Sequence, residues 1–267
     1  MKKISILGCG WLGLPLAKSL ISKGFSVKGS TTSEAKLAIL ESANIQAHSI
    51  RLTENKVMGN IEAFLSESEI LIIDIPPKLR GDGAEHFVTK IGTLIPFIEK
   101  SPINHVVFIS STSVYADDNT IVTENSQPEP DTESGRQLLA TEKLLQANTN
   151  FQTTVIRFGG LIGENRHPIH FLAGRKKLDN PEAPINLIHQ NDCIGIIEVV
   201  IAQNTKSEVF NAVAPFHPTR KDYYTQKAIA LGLPLPEFEE SKPSVGKTIV
   251  SDKINTILGY IFQHTDL

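Results

Sequence analysis

Residues 3–13 read KISILGCGWLG, and the fold of the whole chain turns on this stretch. A short apolar run over 3–7 has strand character, glycines follow it directly, and a helical pattern runs from Trp11 to Lys23. Gly8-Cys9-Gly10-Trp11-Leu12-Gly13 has the spacing G-x-G-x-x-G, weak alone and stronger for standing between a strand and a helix. Gly8 permits a tight turn, Gly10 lets the backbone approach a pyrophosphate, and Gly13 lets helix and strand pack closely. The pyrophosphate then meets free N–H groups at the helix N-terminus, with Trp11 and Leu12 in the cradle. Trp11 offers only its backbone N–H to phosphate; its indole is equally suited to packing against a neighbouring lobe.

Strand and helix alternate outward from this point. FSVKGSTTS is a second strand ending near Ser30, a helix is expected over 33–43, and IQAHSI is a third strand. EILIIDIPP is apolar without alternation, as a strand buried on both faces should be. A helix over 84–99, the strand INHVVFISST, a helix over 134–147 and the strand QTTVIRFGG follow. This predicts an α/β fold: a doubly wound, mostly parallel sheet with helices on both faces. Beyond 163 the rhythm loosens into ENRHPIHFLAGRKKLDNPEAPINLIHQND, polar and Pro-broken, and long for a loop without function. Helices over 192–203 and 219–231 flank the strand EVFNAVA, with a strand at 246–250 and a small helix at 251–258. The expected division is a nucleotide-binding core, 1–163, and a smaller substrate lobe, 164–267, interleaved with the end of the sheet. Asp192 is the expected N-cap of the helix near Cys193.

Composition narrows the function classes. The 267 residues carry 26 Lys and Arg against 29 Asp and Glu, a net charge of −3, which favours neither nucleic acid nor an anionic membrane as partner. Two cysteines, Cys9 and Cys193, make no disulfide framework and read as buried thiols. His86, His105 and His217 lack ligand spacing, so no metal is expected. Pro15 and Lys18 break the apolar run after Lys2-Lys3, and no apolar stretch reaches the roughly 18 residues of a membrane span. A cytoplasmic protein is the expectation.

Cofactor choice turns on the end of the second strand. A carboxylate there, about 20 residues after the glycines, takes the ribose 2′-hydroxyl of NAD. This chain instead has Ser30-Thr31-Thr32, with Lys36 further on, a set that accommodates a 2′-phosphate. NADP(H) is therefore favoured over NAD(H); Glu34 argues the other way, although a helix N-terminus explains it equally. Pro76 and Pro77 end the fourth strand and suit either a loop beside the cofactor or a rigid turn.

Taken together, GCGWLG, FISSTSVYAD, IRFGGLIG, NLIHQND and VFNAVAP resemble the extended short-chain dehydrogenase/reductase superfamily, of the NAD-dependent epimerase/dehydratase type. The pairing of GCGWLGLPLAKSL with SSTSVYAD and SGR is similar to a bacterial nucleoside-diphosphate-sugar epimerase-like branch. The resemblance spans essentially the whole chain. It implies a seven-stranded sheet, a small-molecule substrate and, in relatives, paired helices that form a homodimer. It also implies a Ser or Thr that polarises the substrate oxygen, a Tyr that shuttles the proton, and a Lys four residues later that lowers the Tyr pKa.

By this resemblance Ser111, after Ser110, takes the Ser/Thr position and Tyr115 the Tyr of the SSxxVYG run. The catalytic Tyr position is then Ser134 and the Lys position Leu138, so the usual proton machinery is missing. Lys143 is out of phase with it. Tyr115 either supplies a substitute acid or holds its loop. Arg136 and Arg157 either bind an acidic substrate, beside Ser134, or are respectively surface charge and the partner of a core carboxylate. His167 and His189 stand in the segments that resemble substrate-proximal loops, and His170 lies between them; a loop tether is the alternative for His189. Two functions follow: an NAD(P)(H)-dependent oxidoreductase or epimerase with a non-standard acid/base, acting on a small polar or sugar-nucleotide-like substrate; or a non-catalytic dinucleotide-binding sensor or regulator.

Overall fold

The computed structural model describes residues 2–77, 85–265 and 267. The chain opens with β1 (Lys3–Leu7), α1 (Gly13–Ser22), β2 (Ser26–Thr31), α2 (Leu37–Ser42) and β3 (Gln46–Ser49). A small antiparallel pair, β4 (Arg51–Leu52) and β5 (Val57–Met58), precedes α3 (Ile61–Leu65), β6 (Ile70–Ile73) and α4 (Phe87–Glu99). Residue 84, where this helix was expected to begin, lies outside the described residues. Next come β7 (His105–Ser111), β8 (Ile121–Val122), α5 (Glu133–Gln146), β9 (Gln152–Phe158) and β10 (Gly160–Ile162). The remainder holds α6 (Ile169–Leu172), β11 (Leu187–His189), α7 (Gln190–Ala202), β12 (Val209–Ala212), α8 (Arg220–Ala230), β13 (Thr248–Ile249) and α9 (Asp252–Leu258).

Seven strands form one parallel sheet in the order β12-β9-β7-β6-β1-β2-β3. Every residue of β6 is buried, as its unbroken apolar run requires. One apolar core, with Leu16, Leu20, Ile196 and Val200, fills the side of α1 and α7; another, with Phe64, Ile91, Leu94 and Leu145, fills the side of α3, α4 and α5. The sheet is thus the expected doubly wound α/β type. From β1 the chain runs outward one way to β3, then returns through β6 toward β12. The order reverses between β1 and β6, where open α/β sheets present a crevice at the carboxyl ends of their strands.

Both cysteines lie in the first core, and burial pushes the Cys9 thiol up to about 12 and that of Cys193 well above its ordinary value. A third cluster, with Ile169, Ile185, Leu187, Tyr223 and Tyr224, lies beyond the sheet edge. Helix α7 begins earlier than expected, and His189, not Asp192, caps it by accepting from the Asn191 amide at 3.2 Å. The Asp192 carboxylate is drawn elsewhere: buried, it accepts from Tyr260 Oη (2.8 Å), Gln263 N (2.7 Å) and His264 N (3.1 Å), tying down the C-terminal segment. No helix among the described residues is long and apolar enough to cross a membrane.

Candidate functional site

At the reversal between β1 and β6 lies a cavity of about 470 Å³. Its walls come from the glycine loop (Gly10, Trp11, Leu12), the end of β6 (Asp74, Ile75, Pro76, Pro77), the end of β7 (Ile109, Ser110, Ser111), Leu138 of α5, and Phe158–Leu161 with Arg166. Of the residues expected to hold a cofactor, it gathers Gly10, Trp11, Leu12, Pro76 and Ser110, together with Ser111.

The glycines have distinct local reasons. Gly8 adopts φ +108°, and a Cβ there would stand 2.3 Å from the Asp74 carbonyl oxygen. A Cβ on Gly13 would lie 2.2 Å from the Gly8 carbonyl, so the turn closes only over bare backbone. Gly10 differs: a Cβ there would meet nothing within 4 Å. Its backbone faces open space on the cavity wall, the cradle that a close-approaching diphosphate needs. No side chain caps α1, and among the described residues the amides of Trp11 and Leu12 have no partner. These features fit a dinucleotide pyrophosphate.

The hydroxyls after β2 are used differently than expected. Ser30 is buried, and its Oγ accepts from the Gly8 amide at 3.0 Å, bracing the loop instead of facing a ligand. Thr31 Oγ1 accepts from Ser33 N at 3.1 Å. Thr32 and Lys36 are exposed, and Lys36 lines a second cavity of about 260 Å³ with Cys9, Gly10, Trp11 and Leu14. That leaves Lys36 and Thr32 as the groups open to a 2′-phosphate.

The cavity wall is apolar at Leu138, where a proton-shuttling pair was sought. Thr132 caps α5 by accepting from the Gly135 amide at 3.1 Å. A Cβ on Gly135 would lie 2.1 Å from the Ser113 carbonyl, so α5 packs close against the turn after β7. This brings Leu138 to the cavity wall, while Ser134 is half-buried and not among the lining residues. Ser111 Oγ accepts from the Ser113 amide at 3.1 Å, which leaves its own proton free to donate. Lys143 is exposed.

Five expected functional side chains have their partners within the protein. Tyr115 is buried in the second core and lines no part of the cavity. Its hydroxyl takes a hydrogen bond from Arg157 Nη1 (2.5 Å) and donates to Asn211 Oδ1 (3.0 Å), and burial raises its pKa. A phenol so placed is no substitute acid. Arg157 forms a buried ion pair with Glu142, Nη2 to Oε2 at 2.6 Å and Nε to both carboxylate oxygens. Burial opposes the Arg157 charge, and the Glu142 hydrogen bonds more than restore it. Arg136 is exposed and paired with Glu133 at 2.9 Å. His167 Nδ1 accepts from Ile169 N, so Nε2 carries the proton and donates to Tyr223 Oη at 2.9 Å. Burial, with Lys227 nearby, lowers the His167 pKa to about 4. His189 caps α7 and stacks on His264 with ring centroids 3.8 Å apart.

Two charged lining residues had not been singled out in the sequence. Asp74 leaves β6 into the cavity, and its pKa is pushed up to about 7 by burial, against the pull of the Gly13 amide and Arg166. Arg166 is exposed and lies over the Trp11 ring, 4.9 Å from its centroid. Among the described residues, three or more His, Cys, Asp or Glu side chains nowhere converge as a metal site would need.

Comparison with known proteins places this geometry in context. No family model matches the chain. It is 34% identical over 268 residues to the protein YeeZ of Escherichia coli (strain K12), covering 100% of this chain and 97% of that protein. A conserved protein of unknown function from Silicibacter pomeroyi is similar with a TM-score of 0.81 at 21% identity, over 100% of this chain and 95% of that one. A variant UDP-glucuronic acid 4-epimerase from Bacillus cereus, in complex with UDP-4-deoxy-4-fluoro-glucuronic acid and NAD, gives a TM-score of 0.81 at 19% identity, over 98% and 94%. These two structures share the fold.

Proposed function

The chain belongs to the same family as the Escherichia coli protein YeeZ, and from that premise we propose that it is an NAD(P)(H)-binding, oxidoreductase/epimerase-like protein with a preference for NADP(H). The observation that carries this reading is Gly10: a bare backbone facing open space in the cavity, beside the amides of Trp11 and Leu12 just before α1, which have no partner among the described residues. The glycine loop and Arg166 would hold the diphosphate, Lys36 and Thr32 a 2′-phosphate, and Ser111 a substrate oxygen. A bound nicotinamide would supply hydride chemistry. In this reading residues 1–163, joined by Arg166, hold the dinucleotide and the rest of 164–267 receives a small polar, sugar-nucleotide-like ligand, the class bound with NAD by the Bacillus cereus epimerase.

Gly10→Ala tests it directly. Because the added methyl meets nothing, the melting temperature should stay within about 1 °C of the parent. The same methyl occupies the place of the diphosphate, so NADPH affinity followed by cofactor fluorescence should fall at least about tenfold, roughly 1.4 kcal/mol. NADPH should bind the parent more tightly than NADH. Saturable binding of neither would sink the proposal.

The sensor reading draws support from Leu138 on the cavity wall and from the engaged hydroxyl of Tyr115. Hydride transfer screened over sugar nucleotides and small carbonyl compounds separates the two readings: turnover selects the enzyme, and binding without turnover the sensor. Tyr115→Phe should not affect either activity per folded molecule. It should cost about 1–3 kcal/mol of stability, since Arg157 loses a buried acceptor. A loss of turnover with unchanged unfolding would return Tyr115 to the catalytic site.

A further inference from the structure

The carboxylate of Asp74 stands where an anion should bind. A Cβ built on Gly13, the first residue of α1, would be 3.0 Å from Asp74 Oδ2, and the Asp74 carbonyl closes over Gly8. The side chain therefore lies at the positive end of α1, among the loop amides suited to a diphosphate. Arg166 is the only Lys or Arg among the described residues that line this cavity, and its guanidinium is held over Trp11 in the same loop. The cavity that holds the glycine loop thus carries both an acidic and a basic side chain on its walls.

We propose that Asp74 and Arg166 make dinucleotide binding proton-coupled: the diphosphate is accepted beside Arg166 only when Asp74 is neutral, so that one proton is taken up from solution with each ligand bound. This deepens the dinucleotide reading above and rests on it. The physical reason is charge. An ionised carboxylate and a diphosphate held against the same helix terminus repel each other in a partly desolvated cavity, where like charges interact strongly. A neutral carboxyl instead offers an O–H donor to a phosphate oxygen.

The groups facing Asp74 set the pH window. The Gly13 amide and Arg166 favour its charge, and burial outweighs both, leaving its pKa at about 7. Cys9 from the loop and Cys193 from α7 also feel Asp74, and both thiols are pushed far above neutrality, so neither titrates in this range.

The test is titration of the full chain with NADPH and NADH between about pH 5.5 and 8.5. Affinity should be flat below about pH 6.5 and then fall toward tenfold per pH unit as Asp74 ionises. Binding heats measured near pH 8 in two buffers of different ionisation enthalpy should show uptake approaching one proton, a reading that needs no variant. Asp74→Asn should bind more tightly than the parent near pH 8 and lose the slope. Binding with no proton uptake, or a slope retained in Asp74→Asn, overturns the inference and leaves the dinucleotide reading intact. If neither nucleotide binds at any pH, to parent or variant, the dinucleotide reading fails and takes the inference with it.

Discussion

Glu142→Ala should lower the unfolding free energy by about 3–5 kcal/mol, seen as an earlier midpoint in urea without a change of slope. Glu142 and Arg157 are both almost fully buried and joined by three hydrogen bonds, with Ser110 Oγ donating to Glu142 at 2.5 Å as well. Removing the carboxylate leaves a guanidinium that burial already disfavours with Tyr115 as its remaining buried partner. An uncompensated buried charge is among the costliest defects a core can hold. Pairing the change with Arg157→Met should recover a large part of the loss, because two buried charges then disappear together. A single-variant loss below about 1 kcal/mol would mean that water reaches Arg157 and solvates it. The same pair anchors Ser110 on the cavity wall, so the core and the candidate site share this support.

The parts legible in the sequence are those whose physics is local. Gly8 is required locally by its positive φ and Gly13 by its contact with the Gly8 carbonyl, and the unbroken run of β6 reports burial on both faces. Chain order alone therefore carried the strand–glycine–helix unit and the parallel sheet. What escaped reading depends on pairs distant in sequence. Tyr115, Asn211, Arg157 and Glu142 meet through three elements, and no spacing in the chain announces them. Asp192 is the stronger capping residue by type, yet its carboxylate serves residues 260–264, so the cap falls to His189. Ser30 has the hydroxyl expected near a 2′-phosphate, but its register in β2 turns that hydroxyl toward the Gly8 amide. For Asp74 a signal did exist. A carboxylate that directly follows the wholly apolar run ILII and precedes Ile75 needs a reason to be there.

That reason makes a strong prediction for the ligand-free protein. Burial raises the Asp74 pKa from 3.8 to about 7, so the folded chain holds a proton that the unfolded chain releases between those values. Stability therefore falls as pH rises through that window and stays reduced above it. Asn cannot ionise, and Asp74→Asn should be more stable than the parent by about 2–4 kcal/mol near pH 8 and by about 1 kcal/mol or less near pH 4.5. In thermal unfolding this is a rise of roughly 5–10 °C at the higher pH. An equal gain at both pH values would assign the effect to packing; no gain would place the carboxylate in water. A residue that weakens the resting fold near neutrality is the kind retained for what it does with a ligand. Saturating dinucleotide adds stability in proportion to the logarithm of its affinity. The thermal shift it produces should accordingly be larger near pH 6 than near pH 8 in the parent, and the same at both in Asp74→Asn. Destabilisation of the free protein and proton uptake on binding would then be two readings of one carboxylate.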